Sequence, residues 1–437
     1  MTDAPQRPQR SRYPTRAANP PGFAARQAAL RLLDAVVRRG QPLETAWHAA
    51  TQGIGNPSDR ALAHAIAAEV LRRVPDLDAL IDGVTQQQIP EDAKSRMVLR
   101  IALVQMLVLG TPSHAAVATA LPLVDGGPRK LVHGVLGTLD RAGATLPATI
   151  ALPADIAARW TAQWGEGMAT AAAHALGARP PLDLALRDAS ATAQWTEKLG
   201  GVSLAPGHVR LDPDQDVTAL PGFEDGQWWV QDLAASIPAR LLGAGEGRHV
   251  LDLCAAPGGK TMQLAAAGWR VTSLDKSKAR IGRMEANLAR TQLSARVEAG
   301  DALKWEPSEP ADAILLDAPC SATGIFRRHP DVMHRVGPRQ IAEMAELQAA
   351  LLARTADWLA PGGRLVYATC SLEQAEGEEQ IARFLADRPD FRRVAPPEGA
   401  LPAGIVPATD AFIRTTPETL AESGGVDGFF IALLQRD

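Results

Sequence analysis

Strand-like and helix-like segments alternate through the second half of the chain, and no other sequence feature constrains the fold as strongly. After Leu233, short apolar runs are each followed by a longer stretch with helical spacing. Repeated βα units predict a mainly parallel, doubly wound sheet that binds ligands at the carboxyl ends of its strands. The strands are expected at His249–Leu253, Arg270–Leu274, Arg296–Ala299, Ala313–Leu316, Arg364–Ala368 and Gly428–Leu434. The main helices are expected at 261–267, 277–292, 340–359 and 376–387.

The first third of the chain has a purely helical pattern. Between Phe23 and Arg141, apolar residues recur at helical spacing, and Pro and Gly divide the stretch into short helices. This pattern predicts an all-α bundle. Two more helices and three short strands then suggest a small α/β subdomain. We therefore expect an α + α/β multidomain protein with a disordered basic tail (1–20), a helical domain (21–145), a connector of linker helices and the small subdomain (146–235) and the βα domain (236–437).

Charge and cysteine content exclude several classes of protein. A formal net charge of −4 argues against a chain coated in positive charge, although a local basic surface remains compatible with it. The three cysteines are too few and odd in number for a disulfide scaffold, which favours a reducing compartment, and we expect a cytoplasmic protein. The longest apolar run, 101–109, is too short to span a bilayer, and the arginine-containing first sixteen residues do not resemble a signal peptide.

A glycine-rich turn connects the first strand of the βα domain to its helix. Gly259-Lys260-Thr261 looks like the end of a phosphate-binding loop, but position 254 is Cys where that loop requires Gly. A nucleoside-type ligand remains. Asp275 ends the next strand and is suited to ribose hydroxyls, and Asp301 follows the third strand, where it suits an adenine amino group. A single Asp at such a place is more often a helix cap, but repetition at successive strand ends favours a ligand site.

Two cysteines follow the carboxyl ends of adjacent predicted strands. Cys320 comes after the strand that ends at Leu316, and Cys370 comes after the strand that ends at Ala368. Buried cysteines usually act as small hydrophobic residues, and we expect this of Cys254 at the end of its strand. Cys320 and Cys370 are better candidates for chemistry, because reactive groups are commonly placed on loops at strand ends.

Several segments resemble one known family. Residues 252–260 (DLCAAPGGK), 317–324 (DAPCSATG) and 367–371 (YATCS) are similar to the diagnostic motifs of RNA cytosine-C5 methyltransferases of the Sun/RsmB type. Residues 275–280 resemble the second motif of this family, and 327–331 and 427–430 are also typical of it. The helical N-terminal region resembles a NusB-like RNA-binding domain through 71–73 and 113–117.

This resemblance implies a fold and a cofactor. Residues 236–437 would form a class I methyltransferase domain with a Rossmann-like, seven-stranded sheet, and 21–145 would form the NusB-like RNA-binding domain. S-adenosylmethionine would be the cofactor, with no metal. The resemblance assigns cofactor binding to Cys254, Ala255, Ala256, Pro257, Gly258, Gly259, Lys260, Asp275, Arg280, Asp301 and Asp317.

The resemblance also implies residue roles. Cys370 would be the nucleophile that adds to C6 of cytosine, and Cys320 would serve as, or position, the base that releases product. Asp317 would hydrogen-bond the N3 and amino edge of the base and could also contact the methionine part of the cofactor. Lys260 would hold the cofactor carboxylate or lower a thiol pKa, and its alternative is a solvated lysine at a helix start.

The expected partner is RNA with an unpaired or flipped cytosine, and the NusB-like part favours small-subunit rRNA over tRNA. Arg327, Arg328, His329 and Arg335 follow Cys320 and could clamp phosphates, although such clusters are commonly solvated surface. We expect a monomer. Two alternatives stay open: a DNA-type scheme in which Cys320 is the nucleophile, and a non-catalytic RNA-binding assembly or antitermination factor.

Overall fold

A computed structural model describes residues 20–408 and 411–437, which divide into two compact units. The first unit holds 20–38, 44–70 and 77–146, and the second holds 39–43, 71–76 and 147–437. The predicted basic tail with Arg7, Arg10, Arg12 and Arg16 lies outside the described residues. Within the described ranges, none of the helices combines the length and the apolar character that crossing a bilayer requires.

The first unit is helical throughout its described residues, as the sequence predicts. Its central helix, α5 (Lys94–Leu107), is buried from Ser95 to Gln105. Arg96 and Arg100 of this helix are nearly inaccessible, and they pair with Asp82 and Asp78, which neutralises cations that would be costly to bury alone. The helices are α1 (Phe23–Val37), α2 (Leu43–Ala50), α3 (Pro57–Arg72), α4 (Val74–Gly83), α5 (Lys94–Leu107), α6 (Ser113–Ala120) and α7 (Gly126–Arg141).

The second unit begins with two helices and a small antiparallel sheet. These elements are α8 (Ala154–Trp164), α9 (Glu166–Gly177), β1 (Leu182–Leu186), α10 (Thr192–Leu199), β2 (His208–Leu211) and β3 (Trp228–Val230), with strand order β2-β1-β3. Asp183 lies at its centre and receives two 2.7 Å hydrogen bonds from Arg210. Burial alone would raise the pKa of Asp183, but Arg210 and His208 hold it well below its usual range.

The rest of the second unit is the doubly wound sheet. Strands β4 (His249–Leu253), β5 (Arg270–Asp275), β6 (Arg296–Ala299), β7 (Ala311–Asp317) and β8 (Leu359–Thr369) run parallel, and β11 (Phe429–Arg436) pairs antiparallel with β8. Two short strands, β9 (Phe391–Arg393) and β10 (Ile413–Thr415), both pair with β11. The described sheet therefore has eight strands, one more than the predicted seven, because β9 branches from the path β10-β11-β8-β7-β4-β5-β6.

Helices cover both faces of this sheet. Alternate residues of each central strand enter separate cores, with Val250 on one face and Leu251 on the other. The helices are α11 (Leu233–Arg240), α12 (Gly259–Ala266), α13 (Lys278–Thr291), α14 (Val332–Arg335), α15 (Pro338–Ala356) and α16 (Glu378–Asp387). The predicted helix over 340–359 is too long at its carboxyl end. Helix α15 ends at Ala356, and Leu359 already belongs to β8.

The strand order indicates where a ligand would bind on this sheet. The chain moves outward from β4 through β5 to β6 and then crosses back to β7 on the other side of β4. Ligands of open α/β sheets bind at such a reversal, outside the carboxyl ends of the strands. The motifs at 252–260, 275–280, 317–324 and 367–371 lie at the carboxyl ends of β4, β5, β7 and β8, and the topology therefore gathers them at one edge.

Candidate cofactor and catalytic site

The glycine-rich turn after β4 is shaped by its backbone. Gly258 adopts φ +100° and directly precedes α12, and a Cβ at this position would lie 2.6 Å from Cγ of Met284. Only glycine fits this close approach without displacing the Met284 side chain. The turn points the amide of Ala256 at Asp275, whose Oδ2 accepts a 3.1 Å hydrogen bond from it.

A cavity lies beside this turn. Asp275, at the end of β5, is almost fully buried, and its carboxylate accepts hydrogen bonds from the Ser277 amide and the Arg280 guanidinium. Pro319 and Leu351 form part of the apolar wall of this cavity. Acidic acceptors beside an apolar slot suit a nucleoside, which carries ribose hydroxyls next to a flat base.

Asp301 also lines this cavity, but its side chain has a local role as well. Its Oδ1 accepts a 3.0 Å hydrogen bond from the Leu303 amide and so caps the turn after β6. The structure therefore shows a capping role for Oδ1 of Asp301, and the role of Asp301 in ligand binding stays a prediction.

Lys260 does not point into solvent. Its Nζ lies 2.8 Å from Oδ2 of Asp317, and only 11% of its side chain is exposed. Burial alone would lower the pKa of Lys260, but the charge of Asp317, with a smaller contribution from Cys370, raises it above its ordinary value. Lys260 is therefore a charged group within the site, and the solvated alternative for this residue is wrong.

The two candidate catalytic cysteines meet at the carboxyl edge of the sheet. Their Sγ atoms are 3.4 Å apart, and both thiols are free. Contact with the Cys370 sulfur, burial and the charge of Glu376 raise the pKa of Cys320 well above its ordinary value. Cys254 is a poor nucleophile, because burial and the carboxylates of Asp317 and Asp275 raise its pKa to about 12.

Sequence reasoning missed a buried acid at this site. Glu376 accepts hydrogen bonds from Ser321 and Ser371, the residues that directly follow the two cysteines. An acidic residue just ahead of α16 looks like an ordinary helix-start residue, whose negative charge interacts favourably with the helix dipole. Nothing in the local sequence pattern distinguishes it from Glu378, and only the fold brings it between the two loops.

The arginines after Cys320 are turned inward. Arg327 is 3% exposed and lies 3.3 Å from Asp427, and Arg328 donates to Asp232 at 3.0 Å. Arg335 is bound to Asp331, the residue four positions before it. The prediction that this cluster clamps phosphates is therefore wrong for Arg327, because its guanidinium is buried against a carboxylate. Arg328 and Arg335 also bind carboxylates but are partly exposed, and their contact with phosphates stays a prediction. His329 is partly buried in the same segment.

Replacing Arg327 with methionine is expected to destabilise the second unit without weakening RNA binding. The change leaves Asp427 in the interior without one of its cations, and losing one partner of a buried pair costs roughly 3–5 kcal/mol. Urea unfolding followed by tryptophan fluorescence measures this loss, since eight of the nine tryptophans lie in residues 147–437. Arg339→Met is the control, because that side chain is 94% exposed. Reduced RNA affinity with unchanged stability would restore the phosphate-clamp interpretation.

The fold and the site together define a class of protein. A doubly wound sheet, a cavity with acidic and apolar lining residues at its point of reversal and reactive groups at the same edge are features of a Rossmann-like methyltransferase domain. Residues 239–435 match the family described as 16S rRNA methyltransferase RsmB/F, and residues 24–141 match the NusB family.

Known relatives agree with this class over most of the chain. "Ribosomal RNA small subunit methyltransferase B" of Klebsiella pneumoniae is 36% identical over 396 residues, which cover 84% of this chain and 90% of the relative. The protein of the same name from Xylella fastidiosa is 34% identical and covers 95% and 99%. A solved methyltransferase homologue from Pyrococcus horikoshii is 27% identical, with a TM-score of 0.54 over 64% of this chain and 94% of that one.

The chain therefore belongs to the RsmB/F family of rRNA methyltransferases. Its N-terminal unit is the NusB-like domain that the sequence predicts, and its second unit contains the methyltransferase domain.

Proposed function

We propose that this protein methylates C5 of a cytosine in 16S rRNA, with S-adenosylmethionine as methyl donor and a covalent bond between Cys370 and C6 of the base. The observation that carries the proposal is the pair of thiols, 3.4 Å apart, next to the Lys260–Asp317 ion pair. Neighbouring atoms C5 and C6 of one pyrimidine can be reached from two sulfurs at this separation.

The cavity beside the glycine-rich turn fits the proposed cofactor. Asp275 and Asp301 line this cavity, and we assign them to the ribose hydroxyls and the adenine amino group. Lys260 is not on this lining, and we assign it to the carboxylate end of the cofactor. When bound, S-adenosylmethionine supplies an electrophilic methyl group on its sulfonium. The remaining turn residues, 254–259, and Arg280 complete the proposed binding set.

Cys370 and Asp317 prepare the base. Cytosine C5 is too weak a nucleophile by itself, but attack of the Cys370 thiolate on C6 moves electrons to C5 and creates an enamine. We assign Asp317 to the N3 and amino edge, where its carboxylate accepts hydrogen bonds from the protonated ring. Lys260 holds that carboxylate in place through the 2.8 Å contact.

Cys320 is assigned to product release. After C5 has gained the methyl group, its proton must leave before the bond between Cys370 and C6 can break. The Cys370 sulfur is the largest cause of the raised pKa of Cys320. Once Cys370 is bonded to C6, the Cys320 sulfur, 3.4 Å from that of Cys370, is the group that we assign to removal of the C5 proton.

The substrate base must leave its stack to reach this edge of the sheet, so an unpaired or flipped cytosine is required. We expect the protein to act as a monomer in the cytoplasm. A tRNA cytosine is the second candidate substrate, and the NusB-like unit favours rRNA.

Transfer of radiolabelled methyl groups tests the proposal. Purified protein, S-adenosylmethionine and either 16S rRNA or total tRNA are incubated, and bisulfite sequencing locates any 5-methylcytosine. We expect one modified cytosine in 16S rRNA. Modification of tRNA alone would replace the substrate assignment, and no transfer to either RNA, together with no binding of S-adenosylmethionine, would support a non-catalytic assembly factor.

Asp275→Asn should weaken cofactor binding. The amide keeps the side-chain size but loses the charged acceptor, and hydrogen bonds to charged groups contribute roughly 1.5–3 kcal/mol, about 10- to 150-fold in Kd. Isothermal titration with S-adenosylmethionine measures the change. Arg270→Gln, at the exposed start of the same strand, serves as the control. Equal affinities in the two variants would remove Asp275 from the proposed binding set.

A further inference from the structure

One buried carboxylate joins the loops that carry the two cysteines. Glu376 is inaccessible to solvent and ends a short helical turn ahead of α16. Its Oε1 accepts hydrogen bonds from the Ser321 amide at 2.8 Å and from Gln348 Nε2 at 3.0 Å. Its Oε2 accepts from the hydroxyls of Ser321 and Ser371. All four donors lie on segments other than its own turn.

The arrangement is nearly symmetric about the catalytic pair. Ser321 directly follows Cys320, and Ser371 directly follows Cys370, and the two hydroxyl oxygens are 3.1 Å apart. A single carboxylate thus holds the residue next to each thiol. The position of one cysteine loop is therefore tied to that of the other through two side-chain hydrogen bonds.

The backbone of Glu376 is itself hydrogen-bonded to strand β8. Its backbone carbonyl accepts hydrogen bonds from Tyr367 at 2.9 Å and Thr369 at 3.2 Å, both on β8 just ahead of Cys370. Gln348 adds an anchor on α15, because its amide also donates to the Pro319 carbonyl beside Cys320. Hydrogen bonds therefore fix Glu376 relative to both the sheet and the long helix α15.

Stability alone does not explain a carboxylate at this place. Burial raises the pKa of Glu376, and the hydrogen bonds from Ser321, Ser371 and Gln348 oppose that shift. Buried charged groups commonly contribute less to stability than apolar residues of the same volume would. A group that binds four donors on three separate segments fixes geometry in a way that an apolar side chain cannot.

We propose that Glu376 is a positioning residue that sets the separation of the Cys320 and Cys370 sulfurs and thereby the rate of product release. This inference rests on the proposed function. Formation of the bond to C6 needs Cys370 alone, whereas release needs the Cys320 sulfur in reach of the C5 proton while Cys370 is still attached. Loss of the connection should therefore slow release much more than it slows adduct formation.

Two conservative variants separate geometry from charge. Glu376→Gln keeps the length of the side chain, and its amide can accept from the Ser321 amide and donate to the two serine hydroxyls, which can also act as acceptors. Glu376→Asp keeps the charge but is one methylene shorter and cannot reach both serines. A geometric role predicts nearly normal release in Glu376→Gln and slow release in Glu376→Asp.

The experiment is a single-turnover reaction of the full chain with 16S rRNA and S-adenosylmethionine. Denaturing gels follow the protein–RNA adduct, and loss of the adduct gives the release rate. We expect release to slow roughly 10- to 100-fold in Glu376→Asp, the range for misplacement by about 1 Å, with adduct formation changed by less than about threefold. Glu376→Gln should release within about threefold of wild type.

Glu373→Gln is the matched control. Glu373 is also a buried carboxylate on this loop, but its side chain binds Arg159, Trp160 and Gln163 instead of the cysteine loops. It should change thermal stability and leave the ratio of release to adduct formation as in wild type. If Glu376 served only the stability of the fold, adduct formation and release would slow together in Glu376→Asp, as in Glu373→Gln. That result would overturn the positioning role.

Other results of the same experiment would overturn the proposal. Slow release in Glu376→Gln with normal release in Glu376→Asp would overturn the proposal in favour of a purely electrostatic role. Equal release in both variants and wild type would overturn it outright. No adduct in wild type or in Cys320→Ala would instead refute the proposed covalent function, and the release role of Glu376 would fall with it.

Discussion

Replacing Cys370 with alanine should abolish both methyl transfer and the covalent adduct with RNA. No other sulfur is placed to take over: Cys254 lies in the cofactor turn with a pKa of about 12, and Cys320 is the group assigned to the opposite task. Removal of a catalytic nucleophile typically costs about 10⁴- to 10⁶-fold in kcat. The rate of label transfer to 16S rRNA measures the loss.

Cys320→Ala should give the opposite result, a stable adduct that accumulates on a denaturing gel. Without Cys320 the proton on C5 stays, and the bond between Cys370 and C6 cannot break. The double variant Cys320→Ala/Cys370→Ala is the control and should show no adduct. An adduct that forms in Cys370→Ala but not in Cys320→Ala would reverse the roles and favour the DNA-type scheme.

Asp317→Asn should slow adduct formation by roughly 10²- to 10⁴-fold, the range for a positioned acid–base group. The substitution removes the acceptor for the protonated cytosine edge and leaves the Lys260 ammonium buried without its partner. Rapid-quench measurement of the adduct on Cys320→Ala isolates this step from release.

Asp312→Asn is the control for Asp317, because Asp312 lies at the other end of the same strand, where it accepts a 2.8 Å hydrogen bond from the His249 amide. It should lower stability slightly and leave adduct formation unchanged. Adduct formation at the wild-type rate in Asp317→Asn would remove Asp317 from the chemistry and leave it only as a partner for Lys260.

Much of the fold can be predicted from local pattern. The strand at His249–Leu253 is buried along its whole length, and a continuous apolar run bounded by turn residues indicates such a strand. The end of α15 is harder to predict, because helical spacing continues through Trp358 into the next strand. Strands β9 and β10 escape prediction because each is only three residues long and is defined by its pairing with β11.

The candidate site, like the fold, can be predicted only in part from the sequence. The glycine-rich turn and the two cysteine loops are encoded in short stretches of sequence, so their chemistry can be inferred from those stretches alone. The distance between the two sulfurs cannot, because fifty residues separate them. Glu376 escapes sequence reasoning for the same reason: its role depends on Ser321, which lies on another loop.

The sequence by itself determined the helical first unit, the order of strands and helices in the second, and the residue types at the carboxyl ends of the strands. These features follow from hydrophobic periodicity and turn chemistry, which act between near neighbours. The tertiary structure alone decided which charges meet. Arg327 looks like a surface residue until the fold brings Asp427 within 3.3 Å of it, and Lys260 looks solvated until Asp317 neutralises it. Ion pairing depends on distance in space, and folding sets that distance between residues far apart in the chain.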